Sequence, residues 1–182
     1  MVRLSARCVP GELLEMKLSF EDAIESDAAA IASLRSAVAD RLTEEHGRGH
    51  WSSAVTETGV LFGMRTSRVI IARRKRSDRM IATMQLSTRK PWAINPAYFT
   101  SVRKPVYLTA MAVEPDLQRK GIGRSLLDEA EIVARAWPSN AIRLDAYEGE
   151  AGAGAFYAKC GFREVGQVVY RKTPLVYFEL LL

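Results

Sequence analysis

The sequence predicts a single α/β (α+β) domain, with a central mixed, mostly antiparallel sheet of about seven strands and helices on both faces. Three observations carry that reading. Residues 106–113 are apolar on both alternating faces, as a strand covered on both sides requires. A helix-patterned segment and then another alternating stretch, residues 141–147, follow it, and strands joined through a helix run parallel. Two further pairs of strand-like stretches are joined by short charged turns, which makes them antiparallel.

Taken in order, residues 1–12 read as a tail and residues 13–182 as the domain. Leu14, Met16, Leu18 and Phe20 alternate with Glu15, Lys17 and Ser19 in a strand pattern. Ser26-Asp27 supplies cap candidates for a helix in which Ile31, Leu34, Val38 and Leu42 share a face. A loop from Thr43 to Trp51 follows, then a short helix within residues 52–61. Residues 69–72 and 80–86 are strands, joined by the basic run 73–79; with no aromatic residue for base stacking, that run reads as a solvated hairpin turn. Residues 88–104 form a longer connection, of a length that is often functional. In the helix after the central strand, Ile122, Leu126, Leu127, Ala130, Val133, Ala134 and Trp137 fall at helical spacing until Pro138 ends the run. Residues 165–170 and 175–181 close the domain as a pair around Arg171-Lys172-Thr173-Pro174.

Composition bounds the function. With 182 residues, 48% hydrophobic and 26% charged, the chain has the makeup of one ordinary globular domain. Its two cysteines, Cys8 and Cys160, are too few for a disulfide framework. The first ten residues lack the apolar core of a signal peptide and no segment is long enough to span a membrane, so the expectation is a cytoplasmic protein without membrane contact. A net charge of +5 permits contact with nucleic acid or with an anionic cofactor.

The most informative stretch is Gln118-Arg119-Lys120-Gly121-Ile122-Gly123-Arg124, where a strand gives way to a helix. A helix N-terminus carries unpaired N–H groups and partial positive charge, and glycines let an anion approach the backbone, so the junction is a phosphate cradle. A bare GxG is also what a plain strand-to-helix turn needs. Val113-Glu114-Pro115-Asp116-Leu117-Gln118-Arg119-Lys120-Gly121-Ile122-Gly123-Arg124-Ser125-Leu126-Leu127 resembles the acetyl-CoA-binding motif of the GNAT superfamily of N-acetyltransferases, Gln/Arg-x-x-Gly-x-Gly/Ala after a strand ending Val-x-Pro. Downstream, Ala153-Gly154-Ala155-Phe156-Tyr157-Ala158-Lys159-Cys160-Gly161-Phe162 is similar to the family's Ala-x-x-Phe-Tyr-x-Lys-x-Gly-Phe. The specific part of the resemblance spans residues 106–162.

The resemblance implies an acetyl-CoA-dependent N-acetyltransferase. Its cofactor contacts would be Met111, Ala112 and Val113 for the pantetheine arm and Gln118, Arg119, Lys120, Gly121, Ile122, Gly123, Arg124 and Ser125 for the diphosphate. Tyr157 would meet the thiolate as proton donor, and a first strand with one or two helices would lie over the acceptor site. Family members are often dimers. An alkylammonium has a pKa near 10.4, so the reaction needs a group to take the amine proton. Asp145 is the first candidate, on a strand where the family often carries a carboxylate; it reads equally as a partner of Arg143 or a cap at the strand end. Glu114 and Glu45 are alternatives. Glu44, Glu45, Asp145, Glu148 and Glu150 together would attract a cationic amine. One departure is Glu150, where the family commonly has Asn. His46 and His50 do not read as a metal site, because the glycines between them disfavour a helix that would align both rings. Beside the enzyme stand two other readings, a non-catalytic acyl-CoA-binding regulatory module and a nucleic-acid-binding protein.

Overall fold

Seven strands form one sheet in the computed structural model, which describes residues 17–75 and 77–182. The expected tail, the first residues of the opening strand, Cys8 and Arg76 lie outside the described residues. The chain runs β1 (Leu18–Asp22), α1 (Ala28–His46), α2 (Glu57–Thr66), β2 (Arg68–Arg74), β3 (Arg79–Ser87), β4 (Pro105–Val113), α3 (Ile122–Ala136), β5 (Ala141–Tyr147), α4 (Gly154–Lys159), β6 (Arg163–Tyr170) and β7 (Thr173–Leu181). The strand order is β1-β2-β3-β4-β5-β7-β6. Only β4 and β5, the pair joined through α3, run parallel. The expected mixed, mostly antiparallel sheet is the one found.

Alternation along the strands sends side chains to two layers. Ile70 and Ala72 of β2 join Leu126, Leu127, Ala130 and Val133 of α3 and Tyr157 of α4 in the main core. Val69 and Ile71 pack instead with Ala28, Ile31 and Ala32 of α1 and Val60 of α2. Helices therefore cover both faces, and each fully buried Leu or Ile contributes about 1.5–3 kcal/mol to holding them there.

Several boundaries differ from expectation. The helix of the 52–61 region begins only after Thr56, whose side chain accepts a hydrogen bond from Gly59 N at 3.1 Å, and it runs to Thr66. Ser52 instead ends a 3-10 turn, His50–Ser52. The first helix continues through Thr43 to His46, so the expected loop starts only at Gly47, whose φ of 77° stops it. Asp27 stands at the start of α1 but does not cap it: its carboxylate accepts from Ile24 N at 2.9 Å and pairs with Arg73 at 2.5 Å. The basic run is only partly solvated, since Arg73 also holds Glu21 and Arg79 holds Glu114.

Residues 88–104 are fastened to the sheet. Ile94 and Phe99 pack with Tyr107 of β4 and Tyr177 of β7, whose hydroxyl donates to Ala93 O and accepts from Asn95 N at 3.2 Å. Beneath them Arg143 Nε meets Glu179 Oε1 at 3.1 Å, with both side chains buried. Glu179 also accepts from Thr100 N and from Arg163, Arg143 donates to Thr100 O, and the guanidinium lies 4.8 Å over the Phe99 ring. A buried ion pair whose carboxylate oxygens both accept hydrogen bonds stabilises only while both partners are present. Glu179→Ala strands the Arg143 charge and is expected to cost about 3–5 kcal/mol in urea unfolding; adding Arg143→Met to that variant should recover most of the loss.

Candidate active site

The site begins with two strands that part. The parallel ladder between β4 and β5 joins residues 105–107 to 141–143 and goes no further, although β4 runs on to Val113 and β5 to Tyr147. On its other side β4 pairs Thr109 with Gln85 and Ala112 with Thr83, so three steps of β4 oppose two of β3. That extra residue is a bulge, marked by Ala110 at φ 50°, and a bulge bends its strand and re-aims its side chains. Among the described residues no strand faces the β5 side of Leu108, Thr109, Ala110, Met111, Ala112 or Val113. A notch with unpaired main-chain groups along one wall is the result.

The glycine junction closes one end of the notch. After a 3-10 turn at Pro115–Leu117 the backbone takes positive φ at Arg119 (61°) and Gly121 (83°), and α3 starts at Ile122. No side chain caps α3, so its first amides are left for another partner. A Cβ on Gly121 would meet nothing, so the constraint there is conformational, whereas a Cβ on Gly123 would sit 3.0 Å from the Phe156 ring and 3.5 Å from Met111 Cε. Gly123 thus lets α3 lie directly against β4 and α4. Gln118 is partly engaged, donating to Val113 O at 3.1 Å, and Arg124 reaches Lys159 O at 3.4 Å. Arg119 and Lys120 are exposed beside the helix start, as is Ser125 at its hydroxyl, 3.5 Å from Gly121 O.

Tyr157 and Asp145 flank the notch from opposite faces of the sheet. Tyr157 is buried among Phe156, Phe162 and Phe178, with ring centroids 5.2–5.8 Å apart. Its hydroxyl donates to Met111 Sδ at 3.9 Å, a weak acceptor, which leaves most of its donor strength for another partner. Burial, then the charge of Asp145, push its pKa well above the usual phenol range. Asp145 is half-buried on the same side of β5 as Arg143 and Tyr147, next to Tyr177 across the β5–β7 ladder. Desolvation raises its carboxyl pKa, opposed by its own main-chain N–H. It is not paired with Arg143, whose charge belongs to Glu179, and among the described residues it forms no ion pair. The other base candidates are ion-paired: Glu114 through Oε1 with Arg79, its Oε2 being buried without a partner among the described residues, and Glu45 with Arg41 at 2.6 Å and His46 at 4.0 Å.

Two residues with no role expected from the sequence, Trp51 and Arg35, stand on the Asp145 face. Trp51 lies edge-on to Tyr147 with centroids 5.4 Å apart, and its indole donates to Gly47 O. Arg35, on the inward side of α1, has its Nε and Nη2 buried without a partner. An arginine four residues after Ile31 on an apolar stripe was the available signal for it; Trp51 had none. The acidic residues do not form one group. Glu44 and Glu45 are on α1, while Glu148 and Glu150 line a separate cavity of about 420 Å³ with Tyr147, Ala155, Glu164 and Phe178. His46 ends α1 and His50 opens the next turn, and among the described residues no three His, Cys, Asp or Glu side chains cluster as a metal ion needs.

The raised pKa of Asp145 gives a stability test. A carboxyl whose folded-state pKa exceeds its unfolded one supplies stability that is complete below the unfolded pKa and lost as pH rises through the folded value. Asp145→Asn is therefore expected to raise the melting temperature near neutral pH, with the gain shrinking as the pH falls into the ordinary carboxylate range.

Comparison with known proteins places this fold in a family. Residues 31–162 match the model of the Acetyltransferase (GNAT) family. No curated protein matches the chain in sequence. Among solved structures, a GNAT-family acetyltransferase from Listeria monocytogenes superposes with a TM-score of 0.70 at 16% identity, covering 91% of this chain and 95% of its own. A putative acetyltransferase from Salmonella typhimurium, solved with its cofactor acetyl-CoA, gives 0.65 at 16% identity over 90% and 93%. A ribosomal-protein-alanine N-acetyltransferase from Brucella melitensis gives 0.67 at 18% over 90% and 99%. The glycine junction, the parted strands and the Phe156-Tyr157 helix all lie within the matched segment, and the chain belongs to the GNAT family of acetyltransferases.

Proposed function

We propose that the protein transfers an acetyl group from acetyl-CoA to a primary amine by direct attack in a ternary complex. The observation that carries this reading is the notch between β4 and β5, with the Tyr157 hydroxyl on one face of the sheet and the Asp145 carboxyl on the other. Residues and ligand fit each other there. The free amides that open α3, with Gln118, Arg119, Lys120, Arg124 and Ser125 around them, would hold a diphosphate. The unpaired edge at Met111, Ala112 and Val113 would take the amide-bearing arm as an added strand would be taken. Bound acetyl-CoA supplies the activated acetyl group.

Each step has a group suited to it. Asp145, with its raised pKa, takes a proton from the amine, directly or through water. A main-chain N–H at residues 111–113 donates to the carbonyl oxygen as negative charge develops. Tyr157 stays protonated throughout the working range and gives a proton or a hydrogen bond to the departing sulfur. Glu150, in place of the family's common Asn, stands on the wall of the neighbouring cavity, where a carboxylate favours a cationic group over an amide of the cofactor arm.

Two experiments test the reading. Calorimetry should detect acetyl-CoA binding to the purified protein, and Gly121→Glu should abolish it, since it places a carboxylate and a strained φ at the diphosphate site. With an amine panel and free-thiol detection, Tyr157→Phe should lower turnover at least about tenfold with little change in acetyl-CoA affinity; an unchanged rate removes Tyr157 from the chemistry.

A further inference from the structure

The inward side of α1 changes character along its length. Ala28, Ile31 and Ala32 are sealed against Val69 and Ile71 of β2. Arg35 follows Ile31 by about one turn on that side, and after it Val38, Ala39 and Leu42 are only half-buried. The helix passes over β4, the strand that has parted from β5, and beyond its end Trp51 reaches Tyr147 on β5. The half-buried second half of α1 therefore lies on the face of the sheet that carries Asp145.

Arg35 stands at the start of that half, and among the described residues it has no counter-charge. Its Nε and Nη2 are shielded from water and unpartnered, and burial alone pulls its pKa down to about 10. The other inward arginines are matched, Arg143 by Glu179 and Arg73 by Asp27. A desolvated guanidinium is costly unless something completes it, and its planar fork suits the two oxygens of a carboxylate. Because the desolvation is already in place, an incoming anion gains most of the pairing energy.

Resting on the acetyltransferase reading above, we propose that Arg35 binds a carboxylate of the acceptor. The favoured substrates are then small molecules carrying both an amine and a carboxylate, such as amino acids, with the amine toward Asp145 and the carboxylate toward Arg35. Arg35 sets specificity and takes no part in the acetyl transfer itself.

The experiment uses the full chain with saturating acetyl-CoA and a panel of amino acids, each matched with its own carboxamide. The acids should be preferred over the amides by about ten- to a hundredfold in kcat/KM, the scale of a hydrogen bond to a charged group. Arg35→Met should erase that preference mainly through KM, leaving acetyl-CoA affinity unchanged by calorimetry and the melting temperature equal or higher, because an unpaired buried charge has gone. Arg35→Lys should keep part of the preference. Equal use of acids and amides by the parent, with amines still acetylated, overturns the role of Arg35 and spares the acetyltransferase reading. So does an Arg35→Met variant that melts lower yet keeps the acid preference, which would mark Arg35 as structural. Failure to release coenzyme A from any amine overturns both.

Discussion

The structure depends on β4 giving up its partner after Tyr107. A central strand normally satisfies its main chain on both sides, and leaving six residues of one edge unpaired in the middle of a sheet costs hydrogen bonds that packing must offset. Here the bulge at Ala110 turns the strand away from β5, while α3 and α4 close over the opened seam through Gly123, Met111 and Phe156. The same parting that costs pairing leaves main-chain groups of β4 without a strand partner in the middle of the sheet.

Charge is distributed in two distinct ways around that seam. Where the fold must hold firm, charges are paired: Glu179 with Arg143 and Arg163, Arg73 with Glu21 and Asp27, Arg79 with Glu114. These pairs lock residues 88–104 and the β1–β2 edge to the sheet. On the face that carries Asp145, two charges are left alone among the described residues. Asp145 and Arg35 are both desolvated and both lack a counter-ion, one pulled up and the other down in pKa by the same burial. Unpaired buried charge lowers stability, which singles these two out as candidates for a functional site.

Much of this was legible in the chain. Seven strands, the helix between β4 and β5 and the glycine junction follow from periodicity and from the need for N–H donors and positive φ at one turn. The boundaries that moved furthest are near the ends of α1 and α2, where Thr43 and Ser52 bond each other and Asp27 is drawn away from its cap position by Arg73. A side chain forty-six residues distant outcompeted a local cap, and no local pattern encodes that.

The site divides along the same line. By itself the sequence determined the chemistry that depends on neighbours in the chain: a helix start able to bind phosphate, a Phe-Tyr pair on a short helix, an acid on an alternating strand. Only the tertiary structure decided that Asp145 is unpaired while Arg143 belongs to Glu179, that Glu45 and Glu114 are ion-paired, and that Arg35 is stranded under α1. Periodicity states which way a side chain points from its own element, but whether a charge finds a partner depends on which other element arrives opposite it, and that is settled when the sheet and helices pack.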